Sequence, residues 1–273
     1  MTKEVERAII EDYLSQTISV KDIGKKYNCS SYIVNKILKE NNIQKYDYHL
    51  ILPQNKRKFS LREDYFDIQS PNMAYILGIL ASDGTVRKNT NEIKLTLSSV
   101  DKDFLVKLQR EVGGRPIKIY ETQKGFSNAT WSFSSRHIKD VLGQYNIVPC
   151  KTNTFKFPLK LEKQYWRDFI RGYFDGDGCI STAGPNAIRF QIGSKTRDVL
   201  EQIIEFFSEF NIDKPSIYKR QDGFYYFQYS STSTRQIYSV LYYDGCLHLP
   251  RKKKKYEEIL YRNNSPRDSL SLE

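Results

Sequence analysis

Histidine is scarce in this chain of 273 residues, which contains only three. Catalytic and metal sites that are built on clustered histidines need more of this residue than the chain supplies. We therefore expect the histidines to be surface or packing residues. They are His49, His137 and His248.

The four cysteines lack the paired CxxC spacing of a zinc site, and no signal peptide precedes them. We predict reduced thiols and a cytoplasmic protein, with an organellar or phage-encoded origin left open. No apolar run approaches the roughly 20 residues needed to cross a bilayer, so we expect no membrane insertion. The cysteines are Cys29, Cys150, Cys179 and Cys246.

Positive charge is what the chain has in excess, with a formal net charge of +11. A chain of this length can also bury a sizeable core without help from a metal or a disulfide. Basic residues alternate along predicted strands, which favours a polyanionic partner over a merely solvated surface. Nucleic acid, whose bound counterions are released on binding, is the first expectation.

A nine-residue phrase occurs twice, as ILGILASDG at residues 76–84 and as IRGYFDGDG at residues 170–178. Each copy predicts an apolar helix that ends at an aspartate, Asp83 or Asp177. Small residues four apart lie on one face of each helix, so the two helices can pack backbone to backbone. These interface residues are Gly78, Ser82, Gly172 and Gly176.

Such packing would bring Asp83 and Asp177 side by side, where two carboxylates are unfavourable unless a divalent cation lies between them. The simpler interpretation is a helix-terminal acid. That place is a poor one for an anion, because the carboxyl end of a helix carries partial negative charge. The pair therefore predicts a metal site.

The repeat continues beyond the helices in a matched order of strands and helices. Each half ends in a tetrad, VPCK at residues 148–151 and LPRK at residues 249–252, and this order indicates duplication. The predicted strands are 85–88, 92–99, 116–121 and 129–134 in the first half, and 179–182, 187–194, 216–220 and 224–230 in the second. A helix is predicted between the strand pairs of each half, at 101–112 and at 196–210. The first of these helices begins with an acidic cap.

The doubled motif and the order of elements resemble the LAGLIDADG homing endonucleases of the single-chain, two-motif kind, over residues 59–259. The resemblance implies an α+β fold in which two pseudo-symmetric αββαββα halves form a saddle of antiparallel sheets, preceded by a small all-α domain. The predicted division is a helix-turn-helix domain at 1–43, a basic linker at 44–71, halves at 72–158 and 159–262, and a disordered tail at 263–273.

The resemblance implies a site-specific double-strand DNA endonuclease with a long asymmetric target. It assigns metal ligation to Asp83 and Asp177, with the backbone carbonyls of Ser82 and Gly176 as further candidates. Oxygen ligands favour Mg²⁺, and Mn²⁺ can substitute. Asp175 has Ala81 as its counterpart, so we assign Asp175 to packing or hydrogen bonding.

By the same resemblance, Lys151 and Lys252 lie near the scissile phosphate, where they orient water or stabilise the transition state. For the second of these, any lysine of the run 252–255 could take the role. Three residues at the ends of the second strands match places that line a water pocket. They are Ser99, Ser194 and Lys195.

For DNA recognition, alternate strand residues should face the duplex while their neighbours face the core. Ile93, Leu95 and Leu97 are expected inside, as are Ile188, Phe190 and Ile192. Strand 224–229 is aromatic on both faces, so its direction stays open. The predicted DNA-facing residues are Arg87, Lys94, Thr96, Ser98, Lys118, Tyr120, Arg189, Gln191, Tyr218 and Arg220.

The front of the chain predicts three helices, at 4–14, 20–27 and from Ser30 or Ser31 to about 41. The phrase IGKKYNCSS at residues 23–31 resembles a helix-turn-helix, whose third helix enters the major groove. The alternative is a three-helix packing module with a wet polar face. In the first interpretation Ser31, Tyr32 and Asn35 approach bases, and Lys36 and Lys39 approach phosphates.

Two rival functions remain open at this point. One is a maturase, an RNA-binding splicing helper on the same fold, although such proteins often lack the acidic residues that are present here. The other is a DNA-binding regulator that does not cleave, which leaves the doubled motif without a purpose. We expect a monomer without an obligate protein partner, because one chain carries both motifs.

Overall fold

The computed structural model of the chain describes residues 1–15, 19–43, 59–123, 125–182 and 188–262. The chain divides into two compact units, Met1–Leu61 and Arg62–Glu273. The predicted tail and residues 44–58 of the predicted linker lie outside the described residues. No helix in the described ranges is both long enough and apolar enough to cross a membrane.

The first unit contains three helices, as the sequence predicts. Two of them begin at serines whose side chains accept backbone hydrogen bonds, Ser19 from Asp22 and Ser30 from Ile33. Their apolar faces form a shared core of Ile9, Tyr13, Ile23, Val34, Ile37 and Leu38. The helices are α1 (Lys3–Leu14), α2 (Val20–Lys26) and α3 (Ser31–Glu40).

The turn between α2 and α3 is tight because Gly24 has no side chain. A Cβ at Gly24 would lie 2.7 Å from the carbonyl oxygen of Cys29, closer than real contacts allow. Asn28 takes a left-handed conformation with φ of 50° in the same turn. The helix-turn-helix assignment itself stays a prediction.

The second unit begins its repeat with helix α4, which starts at Pro71 and is capped by Ser70. A short 3-10 turn, Ser99–Asp101, leads into α5. The strands form one antiparallel sheet in the order β1-β2-β4-β3. The elements are α4 (Pro71–Ser82), β1 (Gly84–Val86), β2 (Glu92–Ser98), α5 (Lys102–Val112), β3 (Lys118–Glu121), β4 (Ser127–Ser134) and α6 (Arg136–Gln144).

The second half repeats this plan, with an antiparallel sheet in the equivalent order β5-β6-β8-β7. The predicted architecture of two αββαββα halves is therefore confirmed. A further helix follows the second copy. The elements are α7 (Trp166–Asp177), β5 (Cys179–Thr182), β6 (Ile188–Ser194), α8 (Arg197–Ser208), β7 (Tyr218–Lys219), β8 (Tyr225–Ser230), α9 (Ser231–Leu241) and α10 (Pro250–Arg262).

Alternation along the central strands places apolar side chains against the helices. Ile93 and Leu95 of β2 are buried, as are Ile188, Phe190 and Ile192 of β6. Leu97, also expected inside, is only half-buried. It pairs with Ala129, and the next residue across the sheet, Ile119, is 51% exposed, so the helices cover this corner incompletely.

The direction of strand β8, which the sequence left open, follows from its pairing with β6. Phe227 and Tyr229 are buried, whereas Gln228 between them is exposed. Gln228 lies opposite Gln191, so both glutamines belong to the outer face. Tyr226 is two residues earlier and shares that face.

The end of the predicted linker is packed within the second unit. Tyr65 and Phe66 are buried and meet edge to face with ring centroids 5.2 Å apart. The Tyr65 hydroxyl donates to Glu111 at 3.2 Å. Burial of these two aromatic side chains is favourable enough to order the segment that leads into α4.

Candidate active site

The backbones of helices α4 and α7 touch at two glycines. A Cβ at Gly78 would overlap the carbonyl oxygen of Phe169 and lie 2.8 Å from the amide of Tyr173. A Cβ at Gly172 would likewise overlap the carbonyl oxygen of Tyr75. Only glycine allows this approach, so the small residues of the two motifs set the distance between the helices.

At the carboxyl ends of the same helices, Gly176 makes room for the tip of α4. A Cβ at Gly176 would overlap the Ser82 hydroxyl and lie 2.7 Å from Oδ2 of Asp83. Asp83 is the residue that caps α4, and Asp177, next after Gly176, is the last residue of α7. The two acids therefore lie at the same end of the helix pair.

Burial makes ionisation of both acids unfavourable, and for Asp83 the neighbouring acid adds to this effect. Burial first, and the charge of Asp177 second, raise the pKa of Asp83 to about 6. Asp177 remains open to solvent on one side, yet the surrounding protein removes enough water to raise its pKa as well. The charges of Lys151 and Lys252 lower the pKa of both acids and so oppose the effect of burial. The lysines therefore offset only part of the effect of burial on the two acids.

The two lysines are held by the residues that follow the acids. Lys151 donates through Nζ to the carbonyl oxygen of Gly84 at 2.5 Å, and Lys252 donates to that of Gly178. Burial lowers the pKa of both lysines, and the nearby aspartates oppose this. Lys254, in the same run, has a side chain that is 79% exposed. In the second half it is Lys252 that reaches the acids.

Asp175, the other acid of the second motif, is fully buried and hydrogen-bonded. Its Oδ2 accepts from the Tyr75 hydroxyl and the Leu249 amide, and its Oδ1 accepts from the Tyr242 hydroxyl, all at 2.7 Å. Burial raises the pKa of Asp175, and the three hydrogen bonds oppose that shift. Its role is to join α7 to α4 and to the segment that carries Lys252.

The repeated order of helices and strands agrees with comparison to known proteins. Residues 70–148 and 165–248 each match the family described as LAGLIDADG-like domain. The two matches cover more than half of the chain and coincide with its two halves. The chain belongs to the LAGLIDADG-like family.

Individual relatives are more distant. The uncharacterized protein MJ0398 of Methanocaldococcus jannaschii is 30% identical over 178 residues, which are 60% of this chain and 60% of that protein. The structure of the LAGLIDADG meganuclease I-AabMI bound to uncleaved DNA has a TM-score of 0.48 and 12% identity, over 72% of this chain and 91% of that one. Full-length DUF199/WhiA from Thermatoga maritima has a TM-score of 0.45 and 16% identity, over 76% and 66%.

One ion pair between the LAGLIDADG-like halves was not foreseen from the sequence. The buried carboxylate of Asp101 accepts from Nε of Arg251 at 3.2 Å and from Nη2 at 3.1 Å. Asp101 was expected to cap α5 with its side chain, but it makes no such bond. The pair joins residues that are 150 positions apart, and the only signal was that Arg251 stands where the first tetrad has Cys150.

Metal ligation by this LAGLIDADG-like site would rest on oxygen atoms. In the described residues no group of three or more histidine, cysteine, aspartate or glutamate side chains gathers. The available donors are the carboxylates of Asp83 and Asp177, beside the backbone carbonyls of Ser82 and Gly176. Two crowded carboxylates with raised pKa values have the chemistry of a site for a hard divalent cation.

The three predicted water-pocket residues differ in their burial and in their hydrogen-bond partners. Ser99 begins the turn after β2 and is half-buried. Ser194 ends β6, is buried, and accepts from the amide of Thr196 at 3.1 Å. Lys195 donates to the carbonyl oxygen of Asp222 at 2.7 Å, so its amine is held by the turn before β8 and not by the acids.

The outer face of the first sheet is polar. Lys94 lies opposite Ser132, and Thr96 lies opposite Thr130, with their hydroxyls 2.9 Å apart. Arg87 follows β1 and forms an ion pair with Glu92 at 3.5 Å. The cross-strand register places the remaining predicted residues on this face. They are Ser98, Lys118 and Tyr120.

The outer face of the second sheet is more aromatic. Arg189 and Gln191 point outward, as predicted from alternation, and both are half-buried. Tyr218 stacks on Tyr226 with ring centroids 5.5 Å apart. Arg220 lies just beyond β7, 3.4 Å from the carboxylate of Asp222. The two sheets therefore offer different surfaces to a ligand.

In the first unit, helix α3 exposes the residues predicted to read DNA. Tyr32 is 76% exposed. Asn35 donates to the Ser31 carbonyl at 2.8 Å, and Lys36 lies 3.8 Å from Glu40. With the exposed Lys39, these side chains form one polar face opposite the core of the unit.

Proposed function

We propose that this LAGLIDADG-like protein is a metal-dependent endonuclease that cleaves both strands of a long, asymmetric DNA site. The observation that carries the proposal is the pair of crowded aspartates, Asp83 and Asp177, each followed by a glycine whose carbonyl holds a lysine. Two equivalent sets of acid and lysine in one chain suit the two strands of a duplex. The protein would act as a monomer, because both sets belong to the same chain.

The residues that would hold a divalent cation are Asp83 and Asp177, with the carbonyls of Ser82 and Gly176. Their oxygen chemistry fits Mg²⁺, for which Mn²⁺ can substitute. When bound, such a cation supplies charge neutralisation at the phosphate and lowers the pKa of a coordinated water. The raised pKa values of the two acids support this assignment, since a bound cation would relieve the cost of ionising two carboxylates in a poorly hydrated place.

The lysines contribute a preorganised positive charge. Lys151 and Lys252 are fixed by the carbonyls of Gly84 and Gly178, so little reorganisation is needed when negative charge develops on a phosphate. In the hydrolysis, the bond from water oxygen to phosphorus forms, the bond to the 3′ oxygen breaks, and a proton reaches the departing oxygen. The lowered pKa of each lysine favours donation of a hydrogen bond or a proton to these oxygens.

The outer faces of the two sheets would bind the duplex. The net charge of +11 favours DNA through release of counterions. Arg189 and Gln191 have the side chains that pair with guanine and adenine in the major groove, and Lys94 suits a phosphate. Because the two faces differ, the half-sites of the target would differ as well.

The first unit would add a further DNA contact through α3, in the manner of a helix-turn-helix. Its exposed Tyr32 and its lysines support this assignment. We expect the full chain to discriminate between flanking sequences that a version lacking residues 1–42 treats alike. Cleavage of flanking-sequence variants by both proteins measures this, and equal preferences would dismiss the accessory role.

The proposed function is tested by incubating the protein with a library of random duplexes and Mg²⁺. Cut molecules should be enriched for one sequence. Asp83→Asn or Asp177→Asn should remove cleavage of at least one strand and leave DNA binding largely intact. Asp103→Asn, at an exposed position of α5, is the matched control and should cleave normally.

Cleavage retained by the double variant Asp83→Asn/Asp177→Asn would contradict the assigned site. Duplex binding without cleavage by the unmodified protein would favour a regulator. Binding of structured RNA in place of duplex would favour a maturase.

A further inference from the structure

An acidic residue, Glu92, lies on the outer face of the first sheet, two residues before Lys94 on the same strand. Glu92 pairs with Ser134, the last residue of β4, and Arg189 pairs with Ser230, the last residue of β8. Arg189 is therefore the residue of the second sheet that matches Glu92. By charge alone, a carboxylate at this place would repel the phosphates of a duplex.

Glu92 bridges two arginines that come from different parts of the first half. Its Oε2 lies 3.5 Å from Nε of Arg87, and its Oε1 accepts from Nη1 of Arg115 at 3.2 Å. The Glu92 side chain is 25% exposed, whereas those of Arg87 and Arg115 are 57% and 45% exposed. A guanidinium has five N–H groups, so each arginine has donors for a further acceptor.

The backbone that carries Arg87 is fixed by a lysine of α6. Nζ of Lys139 donates to the carbonyl oxygens of Arg87 and Thr90 at 2.8 Å and to that of Lys88 at 3.2 Å. Three carbonyls of the turn between β1 and β2 thus converge on one ammonium group, which limits the movement of this turn. The amide of Arg87 also donates to the carbonyl oxygen of Glu92 at 3.0 Å.

The backbone that carries Arg115 is fixed as well, on the other side of the sheet. The amide of Arg115 donates to the carbonyl oxygen of Ser132 at 2.8 Å, and the indole of Trp131 donates to that of Gly113 at 2.8 Å. Both arginines therefore extend from restrained backbone, and Glu92 holds the ends of their side chains. Such preorganisation reduces the conformational entropy that two long side chains lose when they bind a ligand.

The charge of this cluster also matters for DNA. Glu92 cancels one of the two positive charges of Arg87 and Arg115, so the cluster attracts DNA of any sequence less strongly than two free arginines would. Two guanidinium groups in fixed positions nevertheless suit phosphate oxygens, which they bind through paired N–H groups. Their contribution therefore depends on how the duplex is seated on the sheet, because phosphate contacts are made at fixed places along the backbone.

We propose that Arg87 and Arg115 bind the DNA backbone as a pair, and that Glu92 is a positioning residue that makes this pair selective for the target duplex. The assignment rests on the proposed function, because its ligand is the proposed DNA substrate. It adds Arg115 to the residues that contact DNA and gives an acid on the DNA-facing surface a role in binding.

The test uses a duplex that is enriched from a random library by binding to the full chain in EDTA, so that it does not depend on cleavage. Affinities for this duplex and for one of unrelated sequence are measured by titration at several salt concentrations. Arg87→Met and Arg115→Met should each weaken binding of the enriched duplex about fivefold and lower its salt dependence by about one phosphate contact.

Glu92→Gln is the decisive variant, because charge and position predict opposite changes. A carboxylate that only repels DNA would tighten binding of both duplexes when it is removed. We expect instead that binding of the enriched duplex weakens about 3- to 10-fold and that binding of the unrelated duplex does not weaken. Glu121→Gln is the matched control, since it removes the same charge from an exposed position of the same sheet, and it should weaken neither.

Glu92 should act only through its two arginines. In the Arg87→Met/Arg115→Met background, Glu92→Gln should no longer weaken binding and should tighten it slightly, because only repulsion then remains. A merely structural role predicts that Glu92→Gln lowers the melting temperature and weakens binding in that background too, and this result overturns the inference.

Tighter or unchanged binding of the enriched duplex by Glu92→Gln also overturns the inference, even if cleavage assays confirm the proposed function. Failure to enrich any duplex would contradict the proposed function itself, and the inference with it.

Discussion

The two LAGLIDADG-like halves share their chemistry and differ in how it is supported. Gly172, Asp177 and Lys252 repeat Gly78, Asp83 and Lys151 in kind and in contact. The second half adds a helix, α10, whose first turn carries Lys252, whereas Lys151 follows a residue with left-handed backbone. Duplicated positions beside the paired acids make the same contacts in both halves, whereas positions that face unlike neighbours differ.

The inner network shows the same divergence. Asp175 binds two tyrosines and a backbone amide, and its counterpart Ala81 makes no polar side-chain contact because it has only a methyl group. In the second half, the buried hydrogen bonds of Asp175 position the segment that carries Lys252. In the first half, the backbone conformation of the residue before Lys151 positions that lysine. Substitutions that make the halves alike, or that separate them, test this comparison.

The largest effect is expected at the contact that both halves need. Gly172→Ala places a methyl group onto the carbonyl oxygen of Tyr75, and neither backbone can yield without separating α4 from α7. We expect a loss of more than about 3 kcal/mol in unfolding free energy, measured by urea denaturation.

Gly143→Ala is the matched control, since a Cβ at Gly143 meets nothing within 4 Å. It lies in helix α6, where alanine should be neutral or stabilising by up to about 1 kcal/mol. If the two variants lost similar stability, the backbone contact would not be the cause.

Asp175→Ala copies the residue of the first half into the second. It leaves the hydroxyls of Tyr75 and Tyr242 and the amide of Leu249 buried without an acceptor, at an expected cost of about 3 kcal/mol. Replacing both tyrosines by phenylalanine in the Asp175→Ala background should recover part of that loss. Absence of recovery would mean that the carboxylate acts in some other way.

Much of this arrangement follows from local sequence pattern. Alternation in β2 places Lys94 outward and Ile93 inward without knowledge of the fold, because strand side chains alternate with period two. Glycine and serine four apart identify the face on which α4 meets α7. Asp83 could be placed at a helix end because it follows the apolar run of residues 76–81, and Asp177 because it stands at the same position of the repeated phrase.

The remaining features depend on contacts between distant residues. Arg251 and Asp101 are brought together only by the packing of one half on the other. The direction of β8 depends on its register with β6, since aromatic residues on both faces remove the alternation. The choice of Lys252 among four lysines depends on where α10 begins, which a run of like charges does not reveal.

Asp83→Asn should show how much of the pH dependence of the unfolding free energy comes from Asp83 and how much from Asp177. Because the folded pKa of Asp83 is about 6, above the usual 4, the folded state holds this proton more tightly than the unfolded chain. The unfolding free energy of the unmodified protein in EDTA should therefore fall as pH rises from about 4 to 6. The variant should lack most of this fall and be more stable by about 2 kcal/mol at pH 7.

Thermal melting across this pH range measures the difference, and Asp103→Asn, at an exposed position, should follow the unmodified protein. Addition of Mg²⁺ should raise the melting temperature of the unmodified protein and leave that of Asp83→Asn nearly unchanged. An unmodified protein whose stability rises between pH 4 and 6 through this acid would show that its pKa is lowered, contrary to the crowded site.

The smallest effects should distinguish the outer faces of the two sheets. Lys94 of β2 and Arg189 of β6 both lie on the outer faces of their sheets, but a lysine suits a phosphate and an arginine can bind guanine through two hydrogen bonds. Lys94→Met should weaken binding by about 1 kcal/mol for all sequences, whereas Arg189→Met should also relax the preference at one base pair. Lys214→Met, where the lysine pairs with Glu205 on α8, should change neither the affinity nor the base preference.

Titrations of the selected duplex and its single-base variants at several salt concentrations measure both effects. Identical changes for Lys94→Met and Arg189→Met would remove the proposed difference between the two faces.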